Sequence, residues 1–234
     1  DYIIYEIPTE CTFIFAGIQN TTGHVILKDG SIKENIVNNG PGSTLTLKNT
    51  YYEANDYSWD NAVMYSKGKI YIENSTLQTT NDHPLINSAD TIFINETLGS
   101  KTYINALIGS KDRILHNTPF SRVIVNKASY IREIIAMTDL YDGYIETLCP
   151  SPYIKDEQTH ADLNIYGGKI GLLTNNVHSA GGGSLSYGKR IIHFYKGQIK
   201  ATSTPIRLGH WYGYSISGTE HLCYNDTLNL HSGS

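Results

Sequence analysis

The chain alternates apolar and polar residues over short stretches, a pattern typical of β-strands with one buried face. In Lys69-Ile70-Tyr71-Ile72-Glu73 the two isoleucines are expected to point inward, and the tyrosine between them outward. Asp162 to Tyr166 alternates in the same way. The nearest approach to helical spacing, Ser129 to Leu140, predicts either a short helix or an inserted part of a repeat. The pattern therefore predicts an all-β fold.

In the middle of the chain the strands recur with a period of 22 residues. Three segments align without gaps, and each is followed by a serine: Ala62-Val63-Met64-Tyr65, Pro84-Leu85-Ile86-Asn87 and Ala106-Leu107-Ile108-Gly109, followed by Ser66, Ser88 and Ser110. A fixed period of this size is typical of a solenoid, in which each repeat, or rung, stacks on the one before.

A looser pattern of alternating apolar residues extends the repeat over most of the chain. Its successive starts are Val25, Leu45, Ile70, Ile92, Val123, Leu163 and Ile192. Leu222 is expected to begin one more rung, and Phe13 to Phe15 to belong to an early one. The uneven steps indicate turns that accept insertions. The longest step, from Val123 to Leu163, predicts an extra rung or a loop at 138–160.

Three stretches carry a resemblance to a known group of proteins. GKIYIENSTLQ (68–78), ADLNIYGGKIG (161–171) and IIHFYKGQI (191–199) resemble the rungs of right-handed parallel β-helix proteins, the pectin-lyase-like superfamily. More narrowly, they are similar to the β-helical stalks of Gram-positive cell-surface proteins, and phage tailspikes share this architecture. The resemblance covers roughly residues 12–230. It implies a right-handed parallel β-helix with rungs of about 22 residues, in an extracellular, cell-surface or virion-surface setting.

This interpretation gives one β-helix domain over 1–234, expected to be a piece of a longer chain. Within it, 138–160 is expected to be an insertion loop and 205–234 a C-terminal cap that covers the open end of the solenoid.

The composition of the chain limits the kinds of partner that it is expected to bind. The net charge is −4, the sequence pI is about 6.1 and there is no basic run, so nucleic-acid binding is not expected. No segment approaches the length of a membrane span. The three cysteines are far apart and odd in number, and no histidine-based motif is present. Neither a metal nor a cofactor is therefore expected.

The catalytic candidates are weak. A 22-residue shift carries Asp60 onto Asp82, and two stacked carboxylates about 5 Å apart could hold a cation or act as an acid/base pair. The simpler interpretation is that both are solvated turn residues. No catalytic residue is therefore assigned.

The binding candidates are aromatic and acidic. Tyrosine is unusually frequent, with 18 residues, and exposed tyrosine combines an apolar ring with a hydroxyl group. Insertions on one side of a solenoid often carry its recognition surface. The expected binding residues are therefore those of the 138–160 insertion and an aromatic cluster near the C-terminus, which could instead belong to the cap: Tyr141, Tyr144, Glu146 and Tyr153, and Trp211, Tyr212 and Tyr214.

Three hypotheses of function follow. The first is a non-catalytic, adhesin-like surface-display segment that contacts a cell-surface glycan or a host protein. The second is a phage tail spike or receptor-binding protein, and the third is a polysaccharide lyase or hydrolase. A monomer fits the first hypothesis and a homotrimer the second.

Overall fold

A computed structural model describes residues 2–8, 11–14, 18–33, 37–54, 64–79, 84–109, 122–150, 160–174, 189–200, 206–207, 215–216, 219–220 and 227–231. The regular secondary structure of these residues is entirely β, as predicted. The strands are β1 (Tyr2–Glu6), β2 (Thr12–Ile14), β3 (Ile18–Asn20), β4 (His24–Lys28), β5 (Ser31–Lys33), β6 (Val37–Asn39), β7 (Thr44–Lys48), β8 (Tyr51–Ala54), β9 (Met64–Ser66), β10 (Lys69–Glu73), β11 (Thr76–Thr79), β12 (Pro84–Ser88), β13 (Ile92–Asn95), β14 (Tyr103–Gly109), β15 (Arg122–Val125), β16 (Tyr130–Ile135), β17 (Met137–Leu140), β18 (Tyr144–Cys149), β19 (His160–Ile165), β20 (Lys169–Thr174), β21 (Lys189–Phe194), β22 (Gln198–Ile199), β23 (Ile206–Arg207), β24 (Ser215–Ile216), β25 (Thr219–Glu220) and β26 (Thr227–Leu230).

Two long parallel sheets contain nearly all of these strands. Sheet A has ten strands in the order β1-β4-β7-β10-β13-β15-β17-β19-β21-β26. Sheet B has fourteen, and every pairing between its strands is parallel. From β1 to β23, each rung gives one strand to sheet A and then one or two to sheet B. This arrangement is a parallel β-solenoid. Strands β24 and β25 form a separate antiparallel pair.

The pairing of the strands confirms most of the predicted register. Residue pairs in sheet A match the predicted starts at five steps: Val25 with Leu45, Leu45 with Ile70, Ile70 with Ile92, Ile92 with Val123, and Leu163 with Ile192. The 22-residue step also places Met64 beside Ile86 in sheet B. Other rungs are shorter or longer, so no single rung length describes the whole chain.

The longest predicted step is divided by an extra rung, which was one of the two alternatives for this step. Val123 pairs with Thr138, and Thr138 pairs with Leu163. Strand β18 likewise lies between β16 and β20 in sheet B. The expected insertion loop at 138–160 is therefore largely a rung, and of this segment only 151–159 lies outside the described residues. Ser129 to Leu140, predicted as a short helix or an inserted part of a repeat, contains the whole of β16 and β17, so the prediction of a helix was wrong.

The two ends of the solenoid also differ from the prediction. At the beginning, Ile3 pairs with Val25, so β1 lies one rung before the first predicted start. Phe13, which was expected in an early rung, lies in β2 of this first rung and pairs with Ile32. At the other end, the partner of Ile192 is Leu228 rather than Leu222. The remainder of the expected cap at 205–234 lies largely outside the described residues.

The core is a continuous column of inward-facing aliphatic side chains. Strands β4, β7 and β10 show the expected alternation of buried and partly exposed residues. Ile70 and Ile72 are buried, while Tyr71 between them is partly exposed. Complete burial of a large aliphatic side chain stabilises the fold by about 1.5–3 kcal/mol.

Buried polar side chains form a hydrogen-bonded row inside the early rungs. Asn20, Asn39, Ser66 and Ser88 occupy matching positions in β3, β6, β9 and β12, and all four are buried. Asn20 Nδ2 donates to Asn39 Oδ1 at 2.8 Å, and Asn39 Nδ2 donates to Ser66 Oγ at 3.0 Å. These bonds satisfy groups that would otherwise be costly to bury.

The corner between a sheet A strand and the following sheet B strand changes along the solenoid. In the early rungs it contains a residue with positive φ, at Asp29, Asn49 and Asn74. Asparagine and aspartate are the non-glycine residues that adopt this conformation most readily. In later rungs a glycine with positive φ lies at the corner, at Gly143, Gly168 and Gly197.

Candidate functional site

Four aromatic rings stack along the outer surface of the late rungs. Ring centroids are 4.8 Å apart between Tyr141 and Tyr166, 4.8 Å between Tyr166 and Tyr195, and 4.1 Å between Tyr195 and His231. The interplanar angles are 15°, 10° and 11°. These four residues are called the aromatic ladder below.

The backbone fixes the spacing of the aromatic ladder. The amide of Tyr166 donates to the carbonyl of Leu140, and that of Tyr195 to the carbonyl of Ile165. The amide of His231 donates in the same way to Phe194. Each ring therefore follows a sheet A strand at an equivalent position, and the rings repeat at the spacing of neighbouring strands.

A short sequence repeat builds this corner. Three rungs contain an apolar residue, tyrosine, any residue, glycine, any residue and isoleucine: Leu140-Tyr141-Asp142-Gly143-Tyr144-Ile145, Ile165-Tyr166-Gly167-Gly168-Lys169-Ile170 and Phe194-Tyr195-Lys196-Gly197-Gln198-Ile199. The apolar residue and the isoleucine point into the core. The tyrosine and the residues around the glycine are left at the surface.

The glycines of the repeat are required by the close approach of neighbouring rungs. A Cβ atom on Gly168 would lie 2.8 Å from the carbonyl oxygen of Gly143. One on Gly197 would lie 2.9 Å from the carbonyl oxygen of Gly168. Both glycines also have positive φ, which L-residues rarely adopt. The stacked glycines leave a depression beside the aromatic ladder.

This depression is an open groove with a volume of about 460 Å³, within the range of small-molecule sites. It is called the corner groove below. Its lining comes from four consecutive rungs: Ala128, Ser129, Asp142, Gly143, Tyr144, Gly167, Gly168, Lys169, Lys196, Gly197 and Gln198. Neither Lys169 nor Lys196 forms an ion pair with another described residue. Both side chains are exposed.

The stacking of the ladder decides what it can offer a ligand. The faces of Tyr166 are turned toward Tyr141 and Tyr195, so its edge and hydroxyl are left for solvent. Tyr141 is more exposed, at 48% against 38% for Tyr166. The next position toward the beginning of the chain is Asn126, which carries no ring, so one face of Tyr141 is not covered by the ladder.

The hydroxyl of Tyr166 is held in its protonated form. Partial burial raises the pKa of Tyr166 above its usual value, and the neighbouring Tyr195 and Asp139 raise it further. The Asp139 carboxylate is itself held by Arg122 at 2.6 Å and by the amide of Asn164 at 2.7 Å. Tyr166 is therefore a hydrogen-bond donor at neutral pH and well above it.

A second stack of aromatic rings is formed by the first residues of three neighbouring sheet B strands. Tyr103 and Tyr130 are 4.8 Å apart between centroids, and Tyr130 and Tyr144 are 5.9 Å apart. The hydroxyl of Tyr130 donates to Glu146 Oε2. Burial is the main cause that raises the pKa of Tyr130, and the Glu146 carboxylate raises it further. Tyr144 joins this stack to the corner groove.

The structure brings together part of the predicted binding set. Tyr141 belongs to the aromatic ladder, Tyr144 lines the corner groove, and Glu146 is exposed and engaged with Tyr130. The other candidates lie outside the described residues: Asp60, Asp82, Tyr153, Trp211, Tyr212 and Tyr214.

Sequence reasoning missed most of the groove and three rings of the ladder. Lys169, Lys196, Gln198, Tyr195 and His231 were not selected, and Tyr166 was recognised only as an outward residue. The signal was present, because the Tyr-x-Gly-x-Ile core of the repeat occurs three times. It was hidden because the first copy falls inside the supposed insertion.

Two further properties of the described residues complete the description of the surface. They include no cluster of three or more His, Cys, Asp or Glu side chains placed to bind a metal ion. They also include no helix with the length and hydrophobicity needed to span a membrane.

Comparison with known proteins gives no relative. The chain matches no protein-family model, no curated protein and no solved structure.

Proposed function

We propose that this protein is a non-catalytic, glycan-binding β-solenoid of an extracellular or virion surface, and that the corner groove with the aromatic ladder is its binding site. In this proposal the solenoid is a right-handed β-helix of the pectin-lyase-like type. Its rungs hold the site rigidly, as an adhesin-like stalk would require. The observation that carries the proposal is the coincidence of the groove and the ladder on one corner.

The chemistry of the corner suits a sugar chain. Saccharides offer hydroxyl groups for hydrogen bonding and weakly polar C–H faces for stacking. Gln198 supplies a donor and an acceptor in the groove, Asp142 supplies acceptors, and the tyrosine hydroxyls of the aromatic ladder supply a parallel row. The uncovered face of Tyr141 offers a stacking surface.

The geometry also favours a linear ligand. Equivalent groups repeat once per rung, about 4.8 Å apart along the solenoid. A chain lying along the axis would meet one set of groups in each of several consecutive rungs. Weak contacts repeated along one rigid surface add up, because the cost of positioning the ligand is met only once.

A glycan array followed by titration of the ligands tests this proposal. Tyr141→Ala and Gln198→Ala should each weaken binding at least about fivefold, which is the loss of a single hydrogen bond or stacking contact. Tyr71→Ala is the matched control, because it removes a partly exposed ring stacked on Phe93 and does not line the groove. Failure to bind any glycan, or equal weakening by Tyr71→Ala, would reject the proposal.

A further inference from the structure

A row of mostly apolar side chains runs along the outer face of sheet A. Each of five neighbouring strands, from β4 to β15, contributes one outward residue to it: Ile26, Thr46, Tyr71, Phe93 and Ile124. All five are partly exposed. The rings of Tyr71 and Phe93 stack with their centroids 4.8 Å apart. This row is called the apolar stripe below.

The apolar stripe has a polar border on both sides. The outward residues next to it are His24, Thr44, Lys69, Thr91 and Arg122 on one side, and Lys28, Lys48, Glu73, Asn95 and Asn126 on the other. In the next rung Asp139 follows Ile124, and the stripe ends. An apolar centre with a polar rim is the usual arrangement of a protein–protein interface.

The sizes of the side chains fit a second copy of the stripe in the opposite orientation. Two copies can pack sheet A against sheet A with their strands aligned. If the solenoid axes are antiparallel and the twofold axis lies between Thr46 and Tyr71, the Tyr71 ring meets Thr46 of the other copy. Phe93 then meets Ile26, so each ring lies opposite a smaller residue. With parallel axes each residue would meet itself, and the rings would hold the sheets apart at Thr46.

The charged residues beside the stripe select the same axis. With the axis between Thr46 and Tyr71, Lys48 of one copy lies opposite Glu73 of the other, and this pair occurs twice. Moving the axis onto the rung of Tyr71 would place Glu73 opposite Glu73. Moving it onto the rung of Thr46 would place Lys48 opposite Lys48. Juxtaposed like charges oppose association, so both of these registers are disfavoured.

The size of the contact sets the expected strength of association. At the ends of the contact, Ile124 lies opposite Ile4, which precedes Ile26 in the same row. The contact therefore covers six strands, about 24 Å along the solenoid and about 13 Å along the strands. This extent is at the low end for specific interfaces, so a reversible, concentration-dependent dimer is expected.

We infer that the apolar stripe is a docking surface for a second copy of this chain, and that the two solenoids pack antiparallel about a twofold axis between Thr46 and Tyr71. The corner groove lies in later rungs, outside this contact. Formation of the dimer is therefore independent of glycan binding.

The test is the mass of the full chain, measured by light scattering and native mass spectrometry over a wide range of concentration. A dimer whose fraction rises with concentration is expected. Tyr71→Lys should weaken it at least about tenfold, because a charge replaces a ring at the centre of the interface. Tyr103→Lys is the matched control. It also replaces a tyrosine stacked at 4.8 Å on a neighbouring ring, but in sheet B, and it should leave the dimer unchanged.

Exchange of the facing charges tests the register. Lys48→Glu and Glu73→Lys should each weaken their own homodimer at least about fivefold, because like charges then face each other. Both side chains are partly exposed, and their ion pair within one copy is a surface pair at 3.0 Å, so both variants should fold. Mixing the two variants should restore a dimer that contains one copy of each, because opposite charges then face each other at both positions.

Four results would overturn the inference. The first is a wild-type chain that stays monomeric at every concentration, and the second is an assembly larger than a dimer. The third is a Tyr71→Lys variant that dimerises as well as Tyr103→Lys. The fourth is a mixture of folded Lys48→Glu and Glu73→Lys chains that forms no heterodimer.

Discussion

The side-chain amide of Asn20 donates to the side-chain oxygen of Asn39 inside the solenoid, although 19 residues separate them in sequence. Asn39 also accepts from Ser43 Oγ and donates to Ser66 Oγ and to the carbonyl of Lys69. One amide therefore ties the third strand of the second rung to both neighbouring rungs.

Replacing Asn39 should destabilise the early rungs. Asn39→Ala leaves the buried groups of Asn20 and Ser66 with fewer partners, so the free energy of unfolding should fall by about 1–3 kcal/mol. Urea denaturation followed by circular dichroism measures the loss. Asn126→Ala, at an exposed asparagine, is the control and should change stability by less than about 0.5 kcal/mol. Equal losses of stability in Asn39→Ala and Asn126→Ala would contradict a stabilising role for the buried polar side chains.

Gly168 and Gly42 allow the cost of backbone strain to be separated from the cost of a steric clash between rungs. Both have positive φ, 77° and 73°, but only Gly168 has a neighbouring rung where a Cβ atom would lie. Gly42→Ala should cost about 1 kcal/mol from backbone strain alone. Gly168→Ala should cost more, because the new methyl group collides with the backbone of Gly143. Thermal unfolding of the two variants measures the difference, and a smaller loss for Gly168→Ala would be inconsistent with tight rung stacking.

Glu96 should make the stability of the fold depend on acid pH. Burial alone raises the pKa of Glu96. The hydrogen bonds from Ser129 and from the amide of Thr102, together with the charge of Lys127, outweigh that effect and lower the pKa. The folded state therefore binds this proton more weakly than the unfolded chain. The stabilisation is present above the usual glutamate pKa and is lost as pH falls through the lowered folded value.

Glu96→Gln should accordingly reduce the free energy of unfolding at neutral pH by about 1–3 kcal/mol and flatten its decline in acid. Denaturant titrations at a series of pH values measure both effects. Glu6→Gln is the control, because Glu6 is exposed and its ion pair with Lys28 at 2.8 Å is a surface pair of little energetic value. An unchanged acid profile in Glu96→Gln would show that the carboxylate is not the responsible group.

The Tyr130–Glu146 pair should be visible in an alkaline titration of phenolate absorbance. Tyr130 should lose its proton at higher pH than an ordinary tyrosine, because burial and the Glu146 carboxylate both raise its pKa. Glu146→Gln should shift this titration to lower pH, and Tyr130→Phe should remove it. Asp142→Asn removes an exposed carboxylate from the rung that contains Glu146, and it should leave the titration of Tyr130 unchanged. A titration insensitive to Glu146→Gln would contradict the hydrogen bond.

The sequence predicted the fold where the rungs carry an unbroken apolar pattern. The rung that the pattern could not distinguish from a loop has Thr138 at the inward position that Val123 and Leu163 occupy in its neighbours. Thr138 is fully buried, and its hydroxyl donates to the carbonyl of Ala136 at 3.0 Å. A polar residue whose hydrogen bond is made locally can replace valine in a core, but it breaks the pattern by which strands are recognised.

The last rung shows a different limit. Leu222-Cys223-Tyr224 and Leu228-Asn229-Leu230 both alternate in a strand-like manner, and only the pairing with β21 distinguishes them. The candidate site was partly predictable, since Tyr141 and Tyr144 were selected for their chemistry. The groove itself was not, because it arises when residues about 15 to 30 positions apart meet at one corner.

One outward row of the solenoid runs from Glu6 to His231 and changes character on the way. It holds charged residues in four early rungs, asparagine at positions 95 and 126, and rings from Tyr141 onward. Every member projects from an equivalent place on the backbone, so exchanging one leaves the interior untouched. Single substitutions in this row can therefore lengthen or shorten the aromatic surface by one rung at a time. Asn126→Tyr would lengthen it by one unit, and Tyr141→Asn would shorten it by one.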